Sequence, residues 1–404
     1  MKRTKSNLLA ILDLIAIAGI ILDWLPKTLF PGIAVMPTGT MLLAAPSIAL
    51  GFIWRAVFLK QPVNKWGLVF VVILFIGLLP YNGDILQLKS YLGRYGVNAL
   101  FFLYFLYRRS LFDHRRILIF SLVLTSLIPL LQYLGSIGLV QSYIEQEQLG
   151  SIRRYTGITP SSLGLYLSVI PATLGGILVI RFGGIKPFFN CVCSVILYIA
   201  GLYVVFSTAQ RSALLAHGLC SGLAIIVLLK YSRRTYTTSF RNLIVVVGVF
   251  SIPTWTFAQG AYSLLSERVS STTTDVSALS RFDMILVFAE DSTKHPSLLG
   301  PGLERFIMLH GQSPHNVFGE LYYVGGWLLL ASSLAGIFYS FIQWVRASIR
   351  PKKREEAMIF WIYTILLIGI SVHCLFHNSL GVRALPLFVG LAMSVFRTLG
   401  GRRC

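Results

Sequence analysis

Long apolar segments alternate with short polar ones along most of the chain, and this alternation predicts a bundle of membrane-spanning helices. A transmembrane helix needs about 20 mostly apolar residues to cross the hydrocarbon core of a bilayer. We therefore predict an all-α, polytopic membrane protein with about 12 transmembrane helices, in which residues 1–404 form a single integral membrane domain. The predicted spans are 7–23, 38–59, 66–81, 91–107, 116–140, 161–181, 187–207, 210–230, 240–262, 317–344, 356–376 and 379–397.

The longest polar stretch, residues 263–316, connects the ninth and tenth predicted spans. Within it, Ser280 and Asp283 have the spacing of a capping box, which predicts a helix over 280–290. The apolar stripe of this helix should lie on the membrane surface or against other helices. The stripe consists of Phe282, Ile285, Leu286 and Ala289.

Two proline- and glycine-containing motifs follow that predicted helix. His295-Pro296 predicts the end of the helix, and Gly300-Pro301-Gly302 predicts a turn. The polar stretch is thus expected to have a folded structure of its own, placed where functional residues are often found in proteins built on a rigid scaffold.

Composition and charge agree with a membrane protein. Charged residues make up 12% of the chain and hydrophobic residues 55%, whereas a soluble domain has about 25% charged residues. With the N-terminus in the cytoplasm, 24 of the 35 Lys and Arg residues fall in predicted cytoplasmic segments and 11 in outer ones. This bias predicts that both termini are cytoplasmic and that residues 263–316 are extracytoplasmic. It also explains the net charge of +20 without a nucleic-acid partner.

Several basic residues on the predicted outer side are candidates for binding an anionic substrate. Arg154 precedes the sixth span, Arg211 lies at the outer mouth of the eighth, and Arg281 lies at the start of the predicted loop helix. Arginine is costly in a bilayer and often marks a substrate path, and its planar guanidinium binds phosphate through paired hydrogen bonds. Converging arginines would suit a lipid-linked diphosphate. The alternative for each is that it snorkels or pairs with a carboxylate.

His315, next to Asn316 at the start of the tenth span, is the candidate general base. Histidine titrates near physiological pH and can take a proton from a hydroxyl group; the alternative is a helix-start histidine bonded to the backbone. Glu320 follows and either orients His315 or pairs with Arg305 or Arg281. The weaker histidine candidates are His295, His310, His373 and His377.

Several motifs that would indicate other chemistry do not occur. The sequence contains no Asp-x-Asp, Gly-x-x-x-x-Gly-Lys, Gly-x-Ser-x-Gly or His-Glu-x-x-His. Because the outer face has no nucleotide supply, a donor used there must already be activated, so we expect no metal and no cofactor. A transporter or flippase would place ionisable residues deep in several spans. Asp13 is the one carboxylate well inside a predicted span, which favours an enzyme.

Six motifs, taken in order, resemble those of the O-antigen ligase and O-antigen polymerase family. Their order, spacing and shared side of the membrane carry the resemblance, which extends from about residue 150 to the C-terminus. The motifs are Arg154-Tyr155-Thr156-Gly157, Thr208-Ala209-Gln210-Arg211-Ser212-Ala213-Leu214-Leu215, Ala278-Leu279-Ser280-Arg281, His295-Pro296-Ser297-Leu298-Leu299-Gly300-Pro301-Gly302, His315-Asn316-Val317-Phe318-Gly319-Glu320 with Gly325-Gly326, and Val382-Arg383-Ala384-Leu385-Pro386.

The resemblance implies a twelve-helix glycosyltransferase of the bacterial cytoplasmic (inner) membrane, with its active site facing the periplasm or the cell exterior. Such an enzyme takes a glycan from an undecaprenyl-diphosphate carrier within the membrane lipid. A ligase passes it to lipid A core, and a polymerase passes it to a second lipid-linked glycan; the compact chain favours the ligase. By motif, His315 and Arg281 would be catalytic. The substrate-binding residues would be Arg154, Arg211, Arg281, Asn316, Glu320 and Arg383.

Overall fold

The computed structural model of the protein is mostly helical. It describes residues 2–23, 39–78, 92–107, 109–121, 124, 146–149, 152–155, 211–231, 276–311, 314, 316–350, 353–376 and 384–401. The helices are Lys2–Ile21, Thr40–Phe58, Lys65–Leu78, Leu92–Gly96 with Val97–Phe105, 111–121, Arg211–Tyr231, Val276–Lys294, Leu303–His310, Val317–Ile349, Arg354–Phe376 and Ala384–Gly400.

Within the described residues, three helical stretches are long and apolar enough to cross a membrane: Thr40–Phe58, Val317–Ile349 and Glu355–Val372. They coincide with the predicted spans 38–59, 317–344 and 356–376, which confirms a helical membrane protein. Four shorter apolar helices accompany them. The predicted spans 161–181, 187–207 and 240–262 lie outside the described residues, as does most of 116–140. The total of about 12 spans and the cytoplasmic termini therefore stay predictions.

The chain groups into two compact units. The first contains Met1–Gly51, Phe112–Ser271 and Lys353–Ile370, and the second contains Phe52–Leu111, Thr272–Lys352 and Ser371–Cys404. The prediction of a single integral membrane domain is not tested by this grouping.

In the first unit, the first helix packs closely against the start of the second. A Cβ atom on Gly19 would lie 2.6 Å from the backbone nitrogen of Ala44, so the two backbones approach at a point where a larger residue does not fit. The side chain of Asp23 accepts a hydrogen bond from the backbone N–H of Thr40 at 2.9 Å. Asp13, which the sequence places well inside the first predicted span, lies on the first helix and is buried.

The first unit also holds a two-stranded antiparallel hairpin that the sequence analysis did not predict. Strand Gln146–Leu149 pairs with strand Ile152–Tyr155. The register sets Glu147 opposite Arg154, and residues opposite each other in such a pair lie on the same face of the hairpin. Arg154 therefore lies on a strand rather than in an irregular connection.

In the second unit, the buried side chain of Arg109 caps the C-terminal end of helix Val97–Phe105. The Arg109 guanidinium donates hydrogen bonds to the carbonyl oxygens of Phe105 at 2.9 Å and Tyr107 at 3.1 Å, which lie at and just after the end of helix Val97–Phe105. The last carbonyls of a helix lack partners within it, and a cation there also suits the helix dipole. Arg109 thus caps the end of this helix.

Candidate functional site

The site begins at the N-terminal end of helix Val317–Ile349, which we call the long helix. Asn316, 3% exposed, is its N-cap residue. The Asn316 Oδ1 atom accepts a hydrogen bond from the backbone N–H of Gly319 at 2.6 Å, and Nδ2 donates one to the carbonyl oxygen of Pro314 at 2.8 Å. Both polar atoms of this predicted substrate-binding side chain thus bond the backbone and fix the start of the helix.

Glu320 lies in the first turn of the long helix and is 0% exposed. Its Oε1 atom accepts a hydrogen bond from the hydroxyl of Tyr95 at 2.7 Å. Tyr95 is itself buried, on segment Leu92–Gly96. Sequence reasoning offered His315, Arg305 or Arg281 as the partner of Glu320 and missed Tyr95, because a single tyrosine far away in the sequence gives no signal of its proximity.

Two glycines break the long helix two turns after its start. Gly325 and Gly326 have non-helical backbone angles, and the φ of Gly326 is +65°. Such a break leaves backbone N–H groups without their usual partners in the helix. Two of them bond the preceding loop instead: Trp327 N–H donates to the carbonyl oxygen of Ser297 at 2.9 Å, and Leu328 N–H donates to that of Leu298 at 3.2 Å.

The motif His295–Gly302 therefore lies directly against the glycine break, and we call residues 295–302 the docked loop. The N–H of Gly302 donates to the carbonyl oxygen of Tyr323 at 3.0 Å. A Cβ atom on Gly300 would lie 2.5 Å from that same oxygen, so the close approach requires glycine. The backbone N–H of Ser297 in the docked loop also donates to the hydroxyl of Tyr322, 25 residues later in the sequence.

Helix Val276–Lys294, which we call the loop helix, precedes the docked loop. Three aromatic side chains of the long helix bond the end of the loop helix and the start of the docked loop. Each donates one hydrogen bond from its polar atom. The donors and acceptors are Tyr322 hydroxyl to His295 carbonyl oxygen at 2.9 Å, Tyr323 hydroxyl to Asp291 Oδ2 at 2.6 Å, and Trp327 Nε1 to Ser292 carbonyl oxygen at 3.1 Å. The end of the loop helix and the start of the docked loop are thus tied to the long helix at three separate points.

The structure corrects the predicted start of the loop helix. It begins at Val276, so Ser280 lies inside the helix and is not its cap. The side chains that pack into the core are Met284, Val287 and Phe288. Leu286 of the predicted stripe is 67% exposed, and the contact of the stripe with the membrane surface stays a prediction. Packing against Tyr322 and Tyr323 selects the buried face, and local spacing alone could not show it. The end of the helix at Lys294, before His295-Pro296, is confirmed.

One ion pair lies on the exposed face of the loop helix. Lys294 donates a hydrogen bond to Glu290, one turn earlier. The pKa of Glu290 is lowered and that of Lys294 is raised, in both cases chiefly by this hydrogen bond. Because both groups are exposed, the pair contributes little to stability.

The candidate residues fall into two groups. Asn316 and Glu320 lie at the start of the long helix, whose glycine break contacts the docked loop. Arg154 lies on the second strand, Arg211 is the first residue of helix Arg211–Tyr231, and Arg281 lies in the loop helix; only their backbone is described. His315 and Arg383 lie outside the described residues. That the arginines and His315 converge on one substrate stays a prediction.

Among the described residues, no group of three or more His, Cys, Asp or Glu side chains could hold a metal ion. No protein-family model matches the chain, and a search of the curated proteins gives no match either.

Proposed function

We propose that the protein is a membrane glycosyltransferase of the O-antigen ligase type. It would take a glycan from an undecaprenyl-diphosphate carrier and transfer it to a hydroxyl of lipid A core, at the outer face of the bacterial cytoplasmic membrane. The alternative within the same chemistry is an O-antigen or exopolysaccharide polymerase, whose acceptor is a second lipid-linked glycan.

One observation supports this proposal most directly. Two of the motifs that carry the resemblance meet in the structure: the docked loop accepts hydrogen bonds from the N–H groups of Trp327 and Leu328, which follow the break at Gly325-Gly326. The segment from Asn316 to Glu320 begins the same helix, and Asn316 is its N-cap. Because Asn316 directly follows His315 in the sequence, these contacts support the proposal with the rigid setting that a catalytic residue needs.

The proposed reaction is a displacement at the anomeric carbon of the donor sugar. The acceptor hydroxyl oxygen attacks this carbon, and its proton passes to His315. The bond between the anomeric carbon and the diphosphate oxygen breaks, and the diphosphate leaves with the electron pair. Arg154, Arg211 and Arg281 would stabilise the charge that develops on the leaving diphosphate, with Arg383 completing the substrate site. No metal or cofactor takes part.

Glu320 has a supporting role in this scheme. A carboxylate with 0% exposure needs a hydrogen-bond donor, and the Tyr95 hydroxyl is one. Its position in the first turn of the long helix also suits a negative charge. We propose that the Tyr95–Glu320 pair holds the helix start, and with it His315, in place for the reaction.

The acceptor is the part of the proposal that a direct experiment decides. Purified protein in proteoliposomes would receive an undecaprenyl-diphosphate oligosaccharide and, in separate reactions, lipid A core or a second lipid-linked oligosaccharide. Transfer to lipid A core alone supports the ligase, and chain growth supports the polymerase. If folded protein transfers the glycan to neither acceptor, the proposed function is contradicted and the transporter alternative is favoured.

A further inference from the structure

Large apolar side chains are exposed on the part of the chain that joins the loop helix to the long helix. Leu298 of the docked loop is 69% exposed. On helix Leu303–His310, which we call the short helix, Met308 is 79% exposed and Leu309 is 66% exposed. Groups of exposed apolar residues mark surfaces that meet a protein or a membrane. The depth of these residues relative to the membrane distinguishes a protein partner from a lipid partner.

Two tryptophans of the long helix mark that depth. Trp327 and Trp344 are separated by about 26 Å along the helix, at about 1.5 Å per residue, and the hydrocarbon core of a bilayer is about 30 Å thick. Tryptophan is enriched at both membrane–water interfaces. Arg346 and Arg350 follow Trp344 closely, as expected where the helix leaves the bilayer. Trp327 therefore lies at the opposite interface.

The docked loop lies at the depth of Trp327. The backbone N–H groups of Trp327 and Leu328 donate to the carbonyl oxygens of Ser297 and Leu298, and the Trp327 indole donates to the carbonyl oxygen of Ser292. Leu298 is thus level with the first turn of the membrane-spanning part of the long helix, and its side chain is exposed there.

The short helix lies close to the same interface. The rings of Phe306 and Tyr323 are 4.5 Å apart, and Gly302, the residue before the short helix, bonds the carbonyl oxygen of Tyr323. Tyr323 precedes Trp327 by four residues, on the other side of the glycine break. Besides its exposed apolar residues, the short helix carries the exposed cation Arg305. Apolar and basic side chains together are typical of a helix that lies in a membrane interface.

We propose that the docked loop and the short helix form an interfacial anchor, in which Leu298, Met308 and Leu309 insert into the adjoining lipid leaflet. The partner of this surface is a phospholipid bilayer: acyl chains receive the apolar side chains, and anionic headgroups receive Arg305. Because the docked loop bonds Tyr323, Trp327 and Leu328 and the short helix packs on Tyr323, the anchor would hold the glycine break of the long helix at the membrane surface. The inference does not depend on the proposed glycosyltransferase activity.

Photo-crosslinking in the full-length protein tests the anchor. The variants Leu298→benzoylphenylalanine and Leu309→benzoylphenylalanine would be reconstituted in phosphatidylethanolamine–phosphatidylglycerol vesicles and irradiated, and phospholipid adducts would be measured by mass spectrometry. The matched control is Asp283→benzoylphenylalanine. Asp283 is also exposed, and it lies outside the docked loop and the short helix, about 13 Å along the loop helix from Ser292.

We expect phospholipid adducts at positions 298 and 309 that exceed those at 283 at least fivefold. Adducts at 298 no more frequent than at 283, or crosslinks from 298 mainly to protein, would overturn the anchor. Thermal unfolding of each variant checks that it is folded. If the variant at 298 does not fold, the comparison of 309 with 283 decides in the same way.

Discussion

At the scale of single residues, the buried carboxylate of Glu320 is the group in the site that most needs hydrogen-bond donors. Removing a charged group from water is costly unless donors replace the water. The Tyr95 hydroxyl, at 2.7 Å from Glu320 Oε1, is one such donor, and the first-turn position of Glu320 in the long helix favours its charge. A polar pair that joins distant segments also fixes their relative position.

The variant Tyr95→Phe removes only the hydroxyl and leaves the ring in place. Because a buried acceptor then loses its donor, we expect the free energy of unfolding to fall by about 1–3 kcal/mol, measured by thermal unfolding in detergent. Tyr339→Phe is the control, since that half-buried tyrosine contacts Trp66 through its ring. Equal stability of Tyr95→Phe and the unmodified protein would show that the hydrogen bond contributes nothing.

At the scale of elements, the break in the long helix and the docked loop depend on each other. The φ of +65° and ψ of −163° at Gly326 fall in a region that is essentially restricted to glycine. A Cβ atom there would also collide with the backbone of Leu298. The break frees the N–H groups of Trp327 and Leu328, which donate to the carbonyl oxygens of Ser297 and Leu298 in the docked loop. The break and the docked loop therefore keep their structures only together.

The variant Gly326→Ala should therefore lower the free energy of unfolding by more than about 2 kcal/mol, from backbone strain and the collision together. Gly336→Ala is a matched control in the same helix, because a Cβ atom at Gly336 meets no atom within 4 Å and alanine favours a helix. Thermal unfolding of the two variants makes the comparison. A tolerated alanine at Gly326 would contradict the described break.

The N-cap of the long helix permits a similar test at Asn316. Asn316→Ala loses the acceptor for the Gly319 N–H, and we expect it to cost about 1 kcal/mol of unfolding free energy. Asn316→Asp keeps that acceptor and should retain most of the stability. Chemical or thermal unfolding distinguishes the two, and equal losses in both variants would assign the effect to the bond with Pro314 instead.

At the scale of the whole molecule, hydropathy predicted the described membrane helices well, because a bilayer imposes a simple length and polarity requirement. The ends of Thr40–Phe58 and Arg354–Phe376 lie within a few residues of the prediction. Contacts between distant segments could not be predicted in this way. The Tyr95–Glu320 bond, the buried face of the loop helix and the contact of the docked loop with Gly326 depend on tertiary packing, which no local pattern specifies. His315 and Arg383 remain predictions from motif alone.

The predicted orientation of the chain has its own test. Because basic residues concentrate on one side, a green fluorescent protein fused after Cys404 should fluoresce, as it does in the cytoplasm. Alkaline phosphatase fused after Thr274 should be active, as it is after export. A non-fluorescent C-terminal fusion together with an inactive phosphatase fusion would reverse the proposed topology and place residues 263–316 in the cytoplasm.

The central claim is that this chain transfers a lipid-linked glycan, with His315 as the general base and arginines on the proposed outer side binding the diphosphate. The most direct measurement is the rate of glycan transfer in proteoliposomes with EDTA present, for the unmodified protein, His315→Ala and, as a control in the same loop, His310→Ala. His310 is exposed and its ring lies against Phe306. Loss of a general base should slow transfer by about 10²–10⁴-fold in His315→Ala and leave His310→Ala near the unmodified rate. Transfer by folded His315→Ala within a few-fold of the unmodified protein would contradict the account.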